Sequence, residues 1–272
     1  MSQLRTLLKR SPIVRDWLAR RRVRDYLSEA AYGQHYGRFA SFAEARAWLP
    51  ASREFAQPGF QDEYVAERSA RVFPFDYPVM FWLSAAFSRG DCRVFDFGGS
   101  VGVHFYAYQS YFEFPEAVRW TVCELPATAE LGRSLARERG AEARLAFQAS
   151  IVPEVLDHDV FIAAGVLEFI DEWSLPSLLQ SAARQPRHVL LNKMPLNSDV
   201  SFVSTQNLGK GAFAPHHVYH RAEFVAAMER AGYALVDTWA VPDRRFNLPD
   251  DPVASFGAYS GLYFRATGRA SA

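Results

Sequence analysis

Cysteine, net charge and long apolar runs are what this 272-residue chain has least of. Its two cysteines, Cys92 and Cys123, cannot supply a disulfide framework. The strands read below place them roughly 10 Å or more apart, beyond bridging reach, so buried free thiols are expected. No stretch approaches the ~20 apolar residues that cross a bilayer, and no signal-peptide pattern occurs. The cytoplasm is therefore the expected compartment. Internal repeats and low-complexity tracts are missing too. Formal charge sums to zero but is unevenly spread. Arg5, Lys9, Arg10, Arg15, Arg20, Arg21, Arg22 and Arg24 face only Asp16 in the first 24 residues, a local charge of +7 against −7 elsewhere. With 49% of residues hydrophobic there is ample material for one large α/β domain carrying an extension.

Two nucleotide motifs are absent as well. The stretch Arg93-Val-Phe-Asp-Phe-Gly-Gly-Ser-Val-Gly102 reads as a buried strand, a glycine turn and a helix start. Glycines there let the backbone approach a ligand, and the helix start offers free N–H groups. A dinucleotide fingerprint beginning at Gly98 would need glycine where the chain has Ser100 and Val103. A P-loop G-x-x-x-x-G-K-[ST] does not occur. Further on, Arg119-Trp-Thr-Val-Cys-Glu-Leu125 reads as a second strand with Glu124 at its tip, about 20 residues beyond the turn. An acid so placed can accept hydrogen bonds from both ribose hydroxyls of a nucleoside cofactor.

Residues 1–90 read as a helical extension and 91–272 as the nucleotide-binding domain. Ser11-Pro12 opens a helix running to about Ala31, with Ile13, Val14, Trp17 and Leu18 on its apolar side. Its arginines fit three readings: a solvated face on a packed helix, contact with an anionic membrane surface through residues 1–31, or nucleic acid, which nothing else in the chain supports. Ser41-Phe-Ala-Glu44 is a capping box that starts a helix ending near Pro50. Pro58-Gly59 marks a loop, Asp62–Arg68 a helix and Val79–Phe87 an aromatic helix, with Tyr64, Phe75 and Tyr77 left without a role. Beyond the second strand, a helix over Thr128–Gly140, a third strand over Ala143–Ala149, a fourth from Asp159 and a fifth over His188–Asn192 continue the alternation of a parallel sheet with helices on both faces. Asn197–Tyr219 is a long polar insertion at the ligand end, where specificity resides. It holds His216, His217 and His220. His220 stands as an N-cap, while His216 and His217 are read either as a general base or as simply exposed. The spacing H-H-x-x-H lacks a supporting cysteine or acid, so no metal is expected.

The pattern D-x-G-x-[GS]-x-G, formed by Asp96, Gly98, Ser100 and Gly102, resembles the first motif of class I S-adenosylmethionine-dependent methyltransferases, with Ser100 in place of the usual middle glycine. The segment Asp159-Val-Phe-Ile-Ala-Ala-Gly-Val-Leu-Glu-Phe-Ile170 resembles that family's fourth strand. Gln206-Asn-Leu-Gly209, Gly232-Tyr-Ala-Leu-Val-Asp-Thr-Trp239 and Tyr259-Ser-Gly-Leu-Tyr-Phe264 look like a methyltransferase family often associated with bacterial surface-polysaccharide gene sets, over about residues 36 to 266. The resemblance implies a Rossmann-like seven-stranded sheet, its last strand antiparallel between the fifth and sixth. It also implies S-adenosylmethionine as cofactor, held by Asp96, Gly98, Gly99, Ser100, Gly102 and Glu124. Ser150 and Ile151 are then expected at the adenine, and Gly165 and Val166 beside the cofactor. Glu168 or Asp171 would face substrate. The expected activity is O-methylation of a sugar or another small hydroxyl-bearing acceptor, with His216 or His217 as base. An NAD-type enzyme and a non-catalytic cofactor-binding or membrane-associated partner are the alternatives.

Overall fold

The computed structural model describes residues 12–56, 67–150, 157–182 and 184–268. Ile151, Tyr64, the Pro58-Gly59 loop, most of the Asp62–Arg68 segment and the first eleven residues of the basic arm lie outside them.

At the centre is β2 (Arg93–Phe97), with Val94, Phe95 and Asp96 fully buried. The strand is buried along its length because both faces of a parallel sheet are covered. It pairs in parallel with β3 (Arg119–Cys123) on one side and β5 (Val160–Ala164) on the other. Outward from these lie β4 (Leu145–Gln148) beside β3 and β6 (His188–Met194) beside β5. The last strand, β11 (Tyr259–Ala266), runs antiparallel between β6 and β10 (Tyr233–Val241), as expected. The order is β10-β11-β6-β5-β2-β3-β4. The connections leaving β2 and β5 diverge to opposite sides here, which opens a crevice at their carboxyl ends.

Because neighbouring strand residues face opposite ways, the sheet has two cores. Val94, Trp120, Val122 and Ile162 pack under α3 (Tyr77–Phe87), α4 (Val103–Tyr108) and α5 (Pro126–Glu138). Phe95, Phe161, Val189 and Leu191 pack under α6 (Leu175–Ser181) and α7 (Arg221–Arg230). Cys92 and Cys123 are free and buried, and burial lifts the Cys123 thiol to about 12.

The stretch Asn197–Tyr219 differs from the expected polar loop. It lies within two long strands, β8 (Phe202–Gly209) and β9 (Ala212–His220), and their approach, which includes a two-residue β7 (Leu196–Asn197). Lys210 and Gly211, both at positive φ, make the tight turn between β8 and β9. The N-terminal extension adds a strand to its helices: β1 (His35–Phe39) pairs antiparallel with β8. Ser204, Thr205 and Asn207 are polar yet buried, because the extension supplies their partners. Thr205 Oγ1 donates to Tyr36 O at 2.8 Å, Tyr26 donates to Thr205 Oγ1 at 2.8 Å, and Asn207 Nδ2 donates to Tyr26 O at 2.8 Å. The helix α1 (Pro12–Tyr26) is thereby anchored at its end, and Arg22 on its basic face pairs with Asp250. The capping box forms at α2 (Phe42–Trp48), where Ser41 Oγ accepts from Glu44 N and Glu44 accepts from Ala40 N. Among the described residues no helix is long and apolar enough to cross a membrane.

Candidate active site

The glycine turn follows β2 directly. Gly98, Ser100 and Gly102 take positive φ values of 72°, 53° and 91°. A Cβ at Gly98 would lie 2.6 Å from Val166, so the residues after β5 press against the turn. Asp96 sits behind it, 0% exposed, accepting from Trp120 Nε1 at 3.1 Å and hydrogen-bonded to His104 Nδ1 at 3.0 Å. A Cβ at Gly99 would fall 2.4 Å from the Asp96 carboxylate. Asp96 thus holds the turn from beneath, and any contact with a ligand runs through the backbone it supports.

Glu124, at the tip of β3, accepts from Ser100 N at 3.2 Å and from Leu125 N at 2.8 Å. Burial raises its pKa, against those two N–H groups. A carboxylate has about four lone-pair sites, so two remain for hydroxyl donors. Ser150 is exposed beyond β4, its carbonyl accepting from Gln148 Nε2 at 2.7 Å. The structure therefore brings Gly98, Gly99, Ser100, Gly102, Glu124 and Val166 together at one end of the sheet.

Next to them is a buried polar cluster that sequence reasoning largely missed. Gly165, at φ 75°, donates its N–H to Asn192 O at 3.0 Å. A Cβ there would meet Lys193 Cδ at 3.3 Å and Glu168 Oε1 at 3.7 Å, so these two side chains flank it. Glu168 is 4% exposed, and its Oε2 has no hydrogen-bond partner among the described residues. Burial pushes its carboxyl up to about 7, and Arg244 and Lys193 oppose the shift. Lys193 is brought down to about 7 by burial and by the charges of Arg68 and Arg244, against Asp76 and Glu168. Both groups therefore titrate near neutrality, as proton-transfer groups must.

His216 and His217 part company. Adjacent residues on β9 point to opposite faces. His216 is 1% exposed and its Nε2 lies 3.2 Å from the Tyr259 hydroxyl. The same hydroxyl lies 3.2 Å from His35 Nε2. One hydroxyl donates once, so one imidazole must donate to it and the other accept from it, and the two rings hold complementary tautomers. Burial keeps both neutral at pH 7: His35 falls to about 3, with Arg244 adding to the effect, and His216 drops well below its ordinary value. His216 Nδ1 has no partner among the described residues. His217 instead bonds Ser201 Oγ at 3.0 Å and lines a different cleft with Trp173 and Tyr219. The three-histidine spacing does not converge on one point. Asp171 is exposed beside Arg46.

A cleft of about 440 Å³ opens onto His35 and Tyr259 and is lined also by Arg68, Arg244, Arg245 and Gln206. Lys193, His35, Tyr259 and the arginines come from five separate stretches of chain and carry no local motif. The one usable signal is Asn192-Lys193, polar residues ending an apolar strand at the ligand end of the sheet.

No family model matches the chain, and no curated protein matches it in sequence. Among solved structures it is similar to the 1,6-didemethyltoxoflavin-N1-methyltransferase of Burkholderia thailandensis, crystallised with 1,6-didemethyltoxoflavin and S-adenosylhomocysteine. The likeness is 20% identical, covers 76% of this chain and 82% of that one, and has a TM-score of 0.50. It is also similar to the CcbJ methyltransferase of Streptomyces caelestis, at 15% identity over 76% of this chain and 96% of the other, with a TM-score of 0.48. The first likeness shows the fold, a Rossmann-like α/β sheet of the methyltransferase type.

Proposed function

We propose that the protein transfers a methyl group from S-adenosylmethionine to a hydroxyl oxygen of a small acceptor, a sugar by the sequence resemblance. The observation that carries this reading is the convergence, at one end of the sheet, of the glycine turn, the Glu124 carboxylate and the Glu168 carboxylate, whose Oε2 has no partner among the described residues. Glu124 fits a ribose because its two remaining lone-pair sites suit a pair of hydroxyl donors. The turn fits the amino-acid end because Gly98, Gly99 and Ser100 bring backbone to the crevice. When bound, the sulfonium supplies an electrophilic methyl group and takes back the C–S electron pair.

The protein's remaining tasks are to align the acceptor, exclude water and remove one proton. Glu168 is the base: its pKa of about 7 suits a carboxylate that accepts a hydroxyl proton as the O–CH₃ bond forms. His216 is a much weaker proton acceptor because burial lowers it, and its place is to orient Tyr259. His217, on the other face of β9, takes no part in this scheme.

Calorimetric titration with S-adenosylmethionine, S-adenosylhomocysteine and NAD tests the cofactor. Micromolar binding of the first two is expected, with no binding of NAD and a loss of at least about tenfold in Glu124→Ala, the loss of two hydrogen bonds to a charged group. Binding of NAD alone would refute methyl transfer.

A further inference from the structure

The cleft beside Tyr259 is more basic than the protein around it. Arg68, Arg244 and Arg245 line it, and among the described residues Asp243 is the one acid on its wall. Residues beyond the first 24 carry −7 overall, so this is a local concentration of positive charge and not part of a basic surface. The guanidinium of Arg244 makes no hydrogen bond or ion pair with any described residue, although Asp243 is its chain neighbour. It is half-buried, and its charge acts on Glu168, Lys193, His35, His216 and Tyr259 alike. Arg68 acts on Lys193 in the same way. Like charges that line one cleft repel one another, and an anion between them removes the repulsion. Arginine, with its planar fork, matches carboxylate and phosphate oxygens two at a time. A volume of about 440 Å³ suits a small molecule and is too small for a polymer.

We infer that this cleft takes the methyl acceptor as a small anion, its carboxylate or phosphate group clamped by Arg244 and Arg245, with Arg68 on the same wall. This deepens the methyl-transfer reading and rests on it for the word acceptor, while the anion site stands on the cleft alone. The clamp sets which molecules bind. Aromatic neighbours Phe73 and Tyr259 give the body of the acceptor an apolar wall.

The test is calorimetric titration of the full chain with D-glucuronate, D-glucose 6-phosphate and D-glucose, each with and without saturating S-adenosylhomocysteine. At least one anion should bind tenfold or more tighter than glucose. The double variant Arg244→Gln with Arg245→Gln should lose at least tenfold of that affinity while keeping its circular dichroism and its affinity for S-adenosylhomocysteine. Binding of glucuronate alone places the acceptor among sugar acids, and binding of glucose 6-phosphate alone among sugar phosphates; either supports the clamp. Equal binding of all three sugars, no binding of either anion, or wild-type affinity in the double variant overturns it. Should the double variant misfold, Arg245→Gln alone, at an exposed position, carries the same comparison at a threefold or greater loss. Failure to bind S-adenosylhomocysteine would count against methyl transfer, whereas the titrations without it judge the anion site separately.

Discussion

The Lys193 ammonium lies 4.8 Å from the centre of the Phe75 ring, joining the tip of β6 to the segment that leads into α3. Phe75 stacks in turn on Phe73, with centroids 5.4 Å apart and planes 2° from parallel, and Phe73 carries the guanidiniums of Arg68 and Arg71. A stacked pair of rings thus lies between cations along one wall of the crevice. Cation–π contacts of this kind hold a charge in an apolar place without neutralising it. Lys193 also takes a left-handed φ of 58°, which Asn192 supports by accepting its N–H at Oδ1, 3.1 Å away.

Lys193 makes stability depend on pH in a direction that can be worked out. Its pKa falls from 10.5 to about 7 on folding. Between those values the unfolded chain holds a proton that the folded chain lacks, so folding gains stability as pH rises from about 7 toward 10.5. Below 7 the cost of the buried charge is fully present. Lys193→Met keeps the stem and removes the ammonium. It should melt higher than the parent at pH 6 to 7, by about 2–4 °C for each kcal/mol relieved, and the gap should close as pH approaches 10.5. Melting curves across that range that stay parallel would place Lys193 in water.

Glu168→Gln keeps the shape of the side chain and removes the base. Turnover should fall by about 10²–10⁴-fold, with affinity for S-adenosylhomocysteine unchanged. In the parent, activity should rise with pH through about 7 as Glu168 ionises, and this limb should vanish in the variant. An unchanged pH profile would assign the proton to another group.

Asn192, fully buried, fastens three segments. Its Nδ2 donates to Phe75 O at 3.0 Å, and its Oδ1 accepts from Lys193 N and from Trp239 Nε1, each at 3.1 Å. Asn192→Leu leaves two buried polar groups and the half-buried indole N–H of Trp239 without their partner, each buried one costing about 1–3 kcal/mol before relaxation. A loss of at least about 2 kcal/mol in urea unfolding is expected. A loss below 0.5 kcal/mol, the range of surface substitutions, would show that the three segments do not depend on it.

Local patterns carried the α/β sheet. An apolar run that ends in glycines, an acid one strand later and a regular alternation of periods state a parallel sheet and its ligand end, because backbone geometry and burial act within a few residues. The turn at Gly98 to Gly102 and the place of Glu124 were therefore legible, while the antiparallel β11 was expected from the family resemblance. The strands β8 and β9 were not, since Ser204, Thr205 and Asn207 look solvated until the extension supplies their hydrogen bonds.

The site divides in the same way. The chain by itself determined where the glycine turn and its strand-tip acid lie, because both are set by spacing along one βαβ unit. Only the tertiary structure decided that His216 and His217 face apart, that Asp96 works from beneath the turn, and that Glu168 and Lys193 flank Gly165. It also decided that the charge of Arg244 acts on them both. The physical reason is that burial and long-range charge give these side chains their chemistry, and both depend on which distant segments pack together.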